Sequence, residues 1–259
     1  MEQKSIFITG AASGIGRATA ILFARNGWIV GCGDINEQEL KKLKDEVNSS
    51  RFFTYTLNVV NEKNYIDVLA SFWHDSGKRL DILFNNAGIG IMKPFEETSW
   101  HEFSKTIDIN LIGVFLGIKI ALPYLKLTEG SMCISTASAS SLFGTAGLAA
   151  YSATKHAVKG ITESLHIELK EHDIYVTDVM PGIIDSAMIK KELRDTAKRG
   201  PWELQPPSAV AEAVLQAWIS RERIHWYVPT LLEEFHKETI LDPKKVISER
   251  IEFYQGVGK

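Results

Sequence analysis

Cysteine is scarce in this chain, and its two positions indicate neither a disulfide framework nor a metal site. Of 259 residues only Cys32 and Cys133 are cysteines. They lie far apart inside apolar, strand-like runs and form neither a CxxC nor a zinc-ligand pattern. We therefore predict two buried thiols in a reducing compartment, and no metal.

An excess of one charge sign and a long apolar run are also missing. The net charge is −3 and Lys and Arg form no run, which argues against a nucleic-acid surface or an anionic-membrane anchor. The longest apolar stretch, residues 111–125, is broken by Lys119 and Pro123 and is too short to cross a bilayer. No charged-then-apolar leader precedes the first apolar run. We predict a soluble cytoplasmic protein whose partner is a small molecule, not a nucleic acid or a membrane.

Short apolar runs alternate with amphipathic segments, without internal repeats. The runs predict strands at residues 5–9, 28–34, 52–57, 81–85, 131–136, 175–180 and 225–228. Strands separated by helical patterns imply right-handed crossovers and a doubly wound parallel sheet, so the fold class is α/β. We treat residues 1–259 as a single domain. Ligands of such sheets bind at the carboxyl ends of the strands.

Residues 183–207 are predicted to be irregular, because Gly200, Pro201, Pro206 and Pro207 lie around a charged amphipathic stretch. Two interpretations stay open for it. It is either a lid on the substrate side of a site or an ordinary long surface connection.

A glycine-rich turn follows the first predicted strand and opens the first predicted helix. Residues 9–16 read TGAASGIG, with glycines at Gly10, Gly14 and Gly16. Glycines let the backbone turn tightly and approach a pyrophosphate, whose charge then faces amide groups at the helix N-terminus. The spacing is GxxxGxG rather than the GxGxxG of many dinucleotide enzymes. Glycines here could also be merely structural.

The second predicted strand ends at Asp34, about twenty residues past the loop, where a carboxylate can bind an adenosine ribose. Its charge would repel a 2′-phosphate. Ile35 and Asn36 add no cation, although Arg17 is in principle able to reach a phosphate. The sequence favours NAD over NADP; the alternative is a solvated acidic residue at a strand end.

Tyr151 and Lys155 are spaced to share one face of a predicted helix. A neighbouring lysine cation favours the phenolate, so we expect it to lower the tyrosine pKa from its usual value of about 10. Tyr151 is therefore a candidate general acid and base. The pair alone is weak evidence, because this spacing also occurs by chance on solvated helices.

Further motifs follow one known order along the chain. They are the glycine loop, the NNAG sequence at residues 85–88, Asn110, Ser138, Tyr151 with Lys155, and Pro181-Gly182. With them the chain resembles the short-chain dehydrogenase/reductase family over about residues 4 to 229. The resemblance implies a Rossmann-type sheet, a nicotinamide cofactor, and hydride transfer between an alcohol and a carbonyl compound.

The resemblance also implies roles for single residues. Tyr151 would exchange a proton with the reacting oxygen, and Lys155 would lower the tyrosine pKa and hold the nicotinamide ribose. Ser138 would hydrogen-bond the reacting oxygen; a turn role is the alternative for a serine here. Asn110 would bend its helix and hold a water that relays protons, where a satisfied core amide is the alternative.

The implied cofactor site includes the glycine loop, three strand ends and the segment after the sixth strand. Its residues are Gly10, Ser13, Gly14, Ile15, Gly16, Asp34, Asn58, Val59, Asn86, Ala87, Gly88, Tyr151, Lys155, Pro181, Gly182, Ile184 and Ser186. Asn58 replaces the more common aspartate and Ser186 the more common threonine. Each substitute keeps a group able to make the expected hydrogen bond.

The substrate is less defined by the sequence. Phe143, Ile91, Met92, Met188, Trp202 and Leu204 lie in segments expected near the pocket and favour an apolar, steroid-like or fatty carbonyl compound. The alternative is that these residues are core or subunit contacts. Thr145 and Lys190 leave a sugar or polyol dehydrogenase open. A non-catalytic nucleotide sensor or scaffold would not need the complete Asn, Ser, Tyr and Lys set.

Two helical segments, residues 111–125 and 153–169, carry apolar side chains on more than one face. With the resemblance, this predicts a homo-oligomer, a tetramer or a dimer. Residues 230–259 form a charged C-terminal extension that mixes in apolar residues. We expect either helices that dock on a neighbouring subunit or a partly ordered tail.

Overall fold

Seven parallel strands form the sheet in the part of the chain that the structure describes. The structure is a computed structural model that describes residues 3–186, 189, 194 and 203–257. The strands are β1 (Ser5–Thr9), β2 (Ile29–Asp34), β3 (Phe52–Thr56), β4 (Ile82–Asn85), β5 (Met132–Thr136), β6 (Tyr175–Pro181) and β7 (His225–Val228). Their order is β3-β2-β1-β4-β5-β6-β7, and each neighbouring pair is parallel. The predicted α/β doubly wound sheet is confirmed, with strand ends that differ by one residue at most.

Helices cover both faces of the sheet. They are α1 (Gly14–Arg25), α2 (Glu37–Val47), α3 (Glu62–Asp75), α4 (Trp100–Ile107), α5 (Gly113–Lys126), α6 (Ala149–Glu168), α7 (Pro207–Ser220), α8 (Leu232–Leu241) and α9 (Pro243–Val257). Local sequence signals start several of them. Asn36 and Asn61 accept hydrogen bonds from backbone amides in the first turns of α2 and α3, and Ser99 with Glu102 forms a capping box on α4.

Two buried apolar clusters, one on each face, stabilise the sheet. Strands β1 and β5 are buried along their whole length, as expected for central strands covered on both faces. Phe7 and Phe72 belong to one cluster, and Phe23 and Trp28 to the other. The strand order reverses between β1 and β4, so the loops after these strands diverge at the carboxyl edge and leave a crevice.

The predicted apolar segment 111–125 is part of a longer helical run. Helices α4 and α5 join through a π-helical turn, Asp108–Ile112, into a continuous run from Trp100 to Lys126. By length and composition alone this run is long enough to cross a membrane, which corrects the expectation from the shorter segment. One of its faces, with Val114, Ile118 and Ala121, is buried in the core of the domain.

The C-terminal extension forms two helices that pack on their own chain. Leu232 on α8 and Val246 on α9 are almost completely buried. The extension is therefore helical, which was one of the two expectations. These helices pack against the core of their own chain. Other apolar residues of the extension stay exposed, among them Leu241 and Ile247.

Two further expectations concern the cysteines and segment 183–207. Cys32 and Cys133 are both free and buried, and burial raises the pKa of Cys133 to about 12.

The two ends of segment 183–207 pair with each other through a parallel bridge between Ile184 and Gln205. Much of the segment, including Met188, Lys190 and Trp202, lies outside the described residues.

Candidate active site

A cavity of about 360 Å³ lies at the carboxyl edge of the sheet, where the strand order reverses. Its walls come from the loops after β1, β2, β3, β4 and β6, and from α6. It is lined by Gly10, Ser13, Gly14, Ile15, Asp34, Ile35, Leu57, Asn58, Val59, Asn86, Ala87, Gly88, Ile89, Ile109, Thr136, Tyr151, Lys155, Pro181, Gly182, Ile184, Ser186 and Ile189. Every predicted cofactor residue except Gly16 belongs to this lining.

The glycine loop is built so tightly that side chains would not fit. A Cβ on Gly10 would lie 2.8 Å from the Cα of Ala87, and Gly10 also has a φ of +65°. A Cβ on Gly16 would lie 2.2 Å from the carbonyl oxygen of Gly10. Gly16 therefore acts behind the cavity, where it allows α1 to approach the loop.

The N-terminus of α1 is open to an anion. Ser13 is the N-cap residue, but its side chain makes no capping hydrogen bond, so it does not occupy the first amides of the helix. These amides and the positive end of the helix dipole face the cavity beside Gly14. The loop thus fits a pyrophosphate group.

Asp34 is fixed at the end of β2 by two backbone amides. Its carboxylate accepts hydrogen bonds from the amide of Ala12 (3.0 Å) and from the amide of Asn36 (2.9 Å), and it lines the cavity. Arg17, the cation considered for a phosphate, instead forms a salt bridge with Glu46 on α2. At the end of β2 the cavity is therefore lined by the negative charge of Asp34.

Thr9 connects the loops after β1 and β4. Its hydroxyl oxygen accepts hydrogen bonds from the amides of Asn86 and Ala87, each at 3.0 Å. The Asn86 side chain donates in return to the carbonyl oxygens of Thr9 and Gly10, and accepts from the Thr136 hydroxyl at 3.2 Å. These contacts join the loop after β1 to the loop after β4 and to the end of β5.

Asn110 lies in the π-helical turn between α4 and α5 and is completely buried. Its side-chain oxygen accepts from the amide of Ile89 (2.8 Å), and its nitrogen donates to the carbonyl oxygen of Ile89 (2.9 Å). The nitrogen also lies 3.4 Å from the Thr154 hydroxyl. Asn110 therefore ties the loop after β4 to α6, one residue from Lys155, and does not itself line the cavity.

Tyr151 and Ser138 meet beside the cavity. Burial raises the pKa of Tyr151, and a hydrogen bond from the buried Ser138 opposes this shift. Ser138 lies directly after β5, at the start of the short turn Ala139–Ser141, where its hydroxyl accepts from the amide of Ser140 (3.1 Å). In this geometry the tyrosine is a phenol at neutral pH, so the expected lowering of its pKa by the lysine is not seen.

Lys155 is buried one turn after Tyr151. Its ammonium group donates to the carbonyl oxygen of Thr136 at 2.6 Å and lies 5.5 Å from the centre of the Tyr151 ring. Burial lowers the pKa of Lys155 to about 8, against an opposing effect of the Asp178 charge. A single donated hydrogen bond leaves the ammonium with further protons to donate toward the cavity.

The residues predicted for the substrate side are more scattered. Ile91 and Met92 are half-buried in the loop after β4, which contacts Gly147 through the amide of Lys93. Phe143 is buried against the C-terminal extension, and neither it nor Leu204 lines the cavity. Thr145, which left a sugar or polyol substrate open, is hydrogen-bonded to Ser140 and to Ser152 of its own chain.

Several residues that line or support the cavity are not among those predicted from the sequence. Thr9 carries a readable signal, because it is the last residue of a strand and adjoins the glycine loop. No sequence signal marks the carbonyl of Thr136, because every residue has a carbonyl. The same holds for the aliphatic lining residues, since apolar residues are common at strand ends; they are Ile35, Leu57, Ile89, Ile109 and Ile189.

Comparison with known proteins agrees with this geometry. The sequence profile of the short chain dehydrogenase family matches residues 4–197. Cyclohexanol dehydrogenase of Acinetobacter sp. (strain SE19) is 33% identical over 218 residues, which are 82% of this chain and 86% of that protein. The chain therefore belongs to the short-chain dehydrogenase/reductase family.

Two solved structures extend the comparison. The 3-ketoacyl-(acyl-carrier-protein) reductase of Brucella melitensis, complexed with NADH, has a TM-score of 0.80 and 26% identity, over 88% of this chain and 97% of that chain. An alcohol dehydrogenase of Thermococcus sibiricus, complexed with 5-hydroxy-NADP, has a TM-score of 0.76 and 28% identity, over 87% and 95% of the two chains. The protein is an oxidoreductase of this family that uses a nicotinamide dinucleotide.

Proposed function

We propose that this protein transfers hydride between NAD(H) and a secondary alcohol or its ketone, with Tyr151 as the proton donor and acceptor. The observation that carries the proposal is the junction of Ser138, Tyr151 and Lys155 at the edge of a cavity that fits a dinucleotide. When bound, the nicotinamide supplies or accepts the hydride. The protein's own residues handle the proton.

The phenol of Tyr151 gives its proton to the carbonyl oxygen during reduction and regains it during oxidation. Its raised pKa keeps the phenol protonated at neutral pH, which suits reduction. Oxidation needs the phenolate, so its rate is expected to rise as the pH rises above neutrality. Ser138 hydrogen-bonds the reacting oxygen and the buried ammonium of Lys155 stabilises the phenolate.

The proposal of NAD over NADP is supported by Asp34 and Arg17. The Asp34 carboxylate lines the cavity and would repel a 2′-phosphate. The Arg17 guanidinium, which would be needed to attract that phosphate, is paired with Glu46. The related structures contain either cofactor type, so the preference of this chain rests on its own residues.

We propose an apolar carbonyl substrate, of the fatty or cyclic kind. Three lining residues that belong neither to the predicted cofactor set nor to the Asp34 end are aliphatic: Ile89, Ile109 and Ile189. Two polar residues kept a polyol substrate open: the Thr145 hydroxyl is bonded to Ser140, and Lys190 lies outside the described residues. The names of two similar proteins, a cyclohexanol dehydrogenase and a 3-ketoacyl-(acyl-carrier-protein) reductase, support this proposal.

A homo-oligomer, tetramer or dimer, in the cytoplasm completes the proposal. Helices α4 and α5 expose Trp100 and Phe115, which are 78% and 53% accessible in the isolated chain, together with Ile112. Exposed apolar side chains of this size along one helical run favour burial against a second subunit. Sedimentation of the purified protein as a single monomeric species would contradict this part.

The direct test is a fluorescence titration with NADH and with NADPH, followed by a turnover panel. Cyclohexanone and a 3-ketoacyl thioester represent the apolar substrates, and a ketose represents the polyol alternative. We expect tighter binding of NADH and turnover of an apolar ketone. A preference for NADPH would contradict the role of Asp34, and binding of neither cofactor would favour a non-catalytic scaffold.

An Asp34→Asn variant sharpens the cofactor test. It keeps the hydrogen-bond acceptor for Ala12 and removes the charge. We expect the ratio of NADPH to NADH affinity to rise in this variant, while Arg17→Ala, the matched control, leaves the ratio unchanged. An unchanged ratio in Asp34→Asn would show that the carboxylate does not select the cofactor.

A further inference from the structure

We propose that Arg250, in the C-terminal helix α9, is a positioning residue of the active site that fixes the loop carrying Ser138 by covering Phe143. The inference rests on the proposed function, because it is there that Ser138 acts on the reacting oxygen. It concerns the C-terminal extension, which none of the family motifs reaches.

The extension first contacts the cavity wall that follows β6. Leu232, at the start of α8, is completely buried, and its Cδ1 would lie 3.5 Å from a Cβ on Gly182. Gly182 lines the cavity, and its amide donates to the carbonyl oxygen of Val228 at 2.8 Å. Helix α8 is thus anchored directly behind one wall of the site.

One turn further along α8, Phe235 contacts the opposite loop. Its ring meets the ring of Phe143 edge-to-face, with centroids 5.0 Å apart and planes at 85°. This geometry is the favourable one for two aromatic rings. Phe143 lies five residues after Ser138 in the same buried segment, residues 137–143. Helix α8 therefore joins the Gly182 wall to the Ser138 loop.

Arg250 covers this aromatic pair from α9. The central carbon of its guanidinium lies 3.8 Å from the centroid of Phe143 and 5.2 Å from that of Phe235. A planar cation over an aromatic face attracts it more strongly when both are shielded from water. Burial lowers the pKa of Arg250 to about 10, so the group remains a cation at neutral pH.

The contact reaches the reacting oxygen through a short turn. Between Ser138 and Phe143 the chain forms the buried turn Ala139–Ser141, in which Ser141 donates to the carbonyl oxygen of Ser138. A shift of Phe143 therefore moves the turn and the Ser138 hydroxyl relative to Tyr151. The cofactor loop after β1 is not touched by the extension through these contacts.

The test compares Arg250→Ala, which removes the cover, with Arg250→Met, which keeps an unbranched apolar side chain over the rings. Lys244→Ala, an exposed position on the same helix, is the matched control. We expect kcat/KM for the ketone to fall about tenfold or more in Arg250→Ala and less in Arg250→Met. The NADH dissociation constant should stay within twofold of wild type, and the control should match wild type in both.

A pH profile separates positioning from a general loss of stability. The Ser138 hydrogen bond lowers the pKa of Tyr151, so its displacement should move the alkaline limb of the reduction profile to higher pH in Arg250→Ala. A merely structural role would reduce the amount of active enzyme without moving that limb. Unchanged kcat/KM and an unmoved profile would overturn the proposal.

Amide hydrogen exchange provides a readout that needs no substrate. Peptides from residues 138–148 should exchange faster in Arg250→Ala than in wild type, and peptides from residues 10–20 should not change. Equal exchange at residues 138–148 would overturn the proposal. If the wild type turns over no substrate, the proposed function fails, and the exchange result still decides whether Arg250 fixes this loop.

Discussion

The two sides of the cleft are stabilised in different ways. On the cofactor side, short polar contacts fix the backbone. The side chains of Thr9, Asn86 and Asp34 each bond to main-chain groups in the loops after β1 and β4. On the substrate side, Phe143 in the loop that carries Ser138 has aromatic and cationic contacts with helices that follow roughly a hundred residues later in the chain.

This difference has a physical reason. A dinucleotide presents the same phosphates and riboses to every protein that binds it, so a fixed set of backbone amides and small residues suits it. A substrate pocket has to match one substrate, and apolar packing can change in shape by single substitutions. We therefore expect changes on the cofactor side to affect binding of any cofactor, and changes on the substrate side to affect selectivity.

The largest effect is expected from Gly16→Ala on the cofactor side. The new Cβ would lie 2.2 Å from the Gly10 oxygen and 2.7 Å from Nδ2 of Asn86, so the loop must move. We expect loss of measurable NADH binding and a destabilisation of about 1–3 kcal/mol or more, by titration and chemical unfolding.

The control is Gly160→Ala in α6, where a Cβ meets no atom within 4 Å. In a helix interior this change should stabilise the protein by about 0.5–1 kcal/mol and leave binding intact. Normal NADH binding by Gly16→Ala would contradict the tight contact between loop and helix.

An intermediate effect is expected from Thr9→Val. The shape is kept, but the amides of Asn86 and Ala87 lose their acceptor. Leaving such donors unpaired costs about 1–3 kcal/mol, measured as the free energy of unfolding. Thr9→Ser keeps the hydroxyl and should recover most of this loss. If the valine and serine variants were equally stable, the hydroxyl would not be what joins the two loops.

The smallest effect is expected from an ion network beneath the substrate side. The ring nitrogens of His225 on β7 lie 3.0 Å from a carboxylate oxygen of Asp178 and 3.2 Å from one of Glu163, which also pairs with Lys159. Burial lowers the pKa of His225, but the hydrogen bond and charge of Asp178 outweigh it and the net shift is upward. His236 and Tyr227, from α8 and β7, also face this network.

A raised folded-state pKa gives stability that is complete below the unfolded value, about 6.5, and disappears as pH rises through the folded value. The difference in unfolding free energy between wild type and His225→Gln should therefore shrink as the pH is raised from about 6 to about 8.5. Titratable groups outside the network are the same in both proteins, so their contributions cancel in this difference. A difference that grows with pH would mean that His225 is neutral in the folded protein.

Much of the fold and of the cofactor side could be predicted from sequence, because their determinants are local. Alternating apolar runs gave the strands, and Asp34 could be placed at a strand end by counting from the glycine loop. The π-helical turn at Asn110 was harder to predict from sequence, since the partners of the Asn110 side chain, Ile89 and Thr154, are remote from it in the chain.

The substrate side was harder to predict because its contacts are remote in sequence. Phe143 reads as a pocket residue, yet its ring packs on Phe235 and Arg250. The pKa of Tyr151 was also predicted in the wrong direction for this geometry, because burial raises it more than the Ser138 hydrogen bond lowers it. The Lys155 ammonium, expected to lower it, bonds to the carbonyl oxygen of Thr136. Burial of a single side chain depends on the whole fold.

The central claim, that Tyr151 is the proton donor and acceptor, is tested most directly with Tyr151→Phe. NADH binding and turnover of an apolar ketone are measured side by side for the variant and the wild type. The account predicts unchanged NADH binding and a loss of turnover of about 10²–10⁴-fold. Turnover at the wild-type rate in Tyr151→Phe would contradict it.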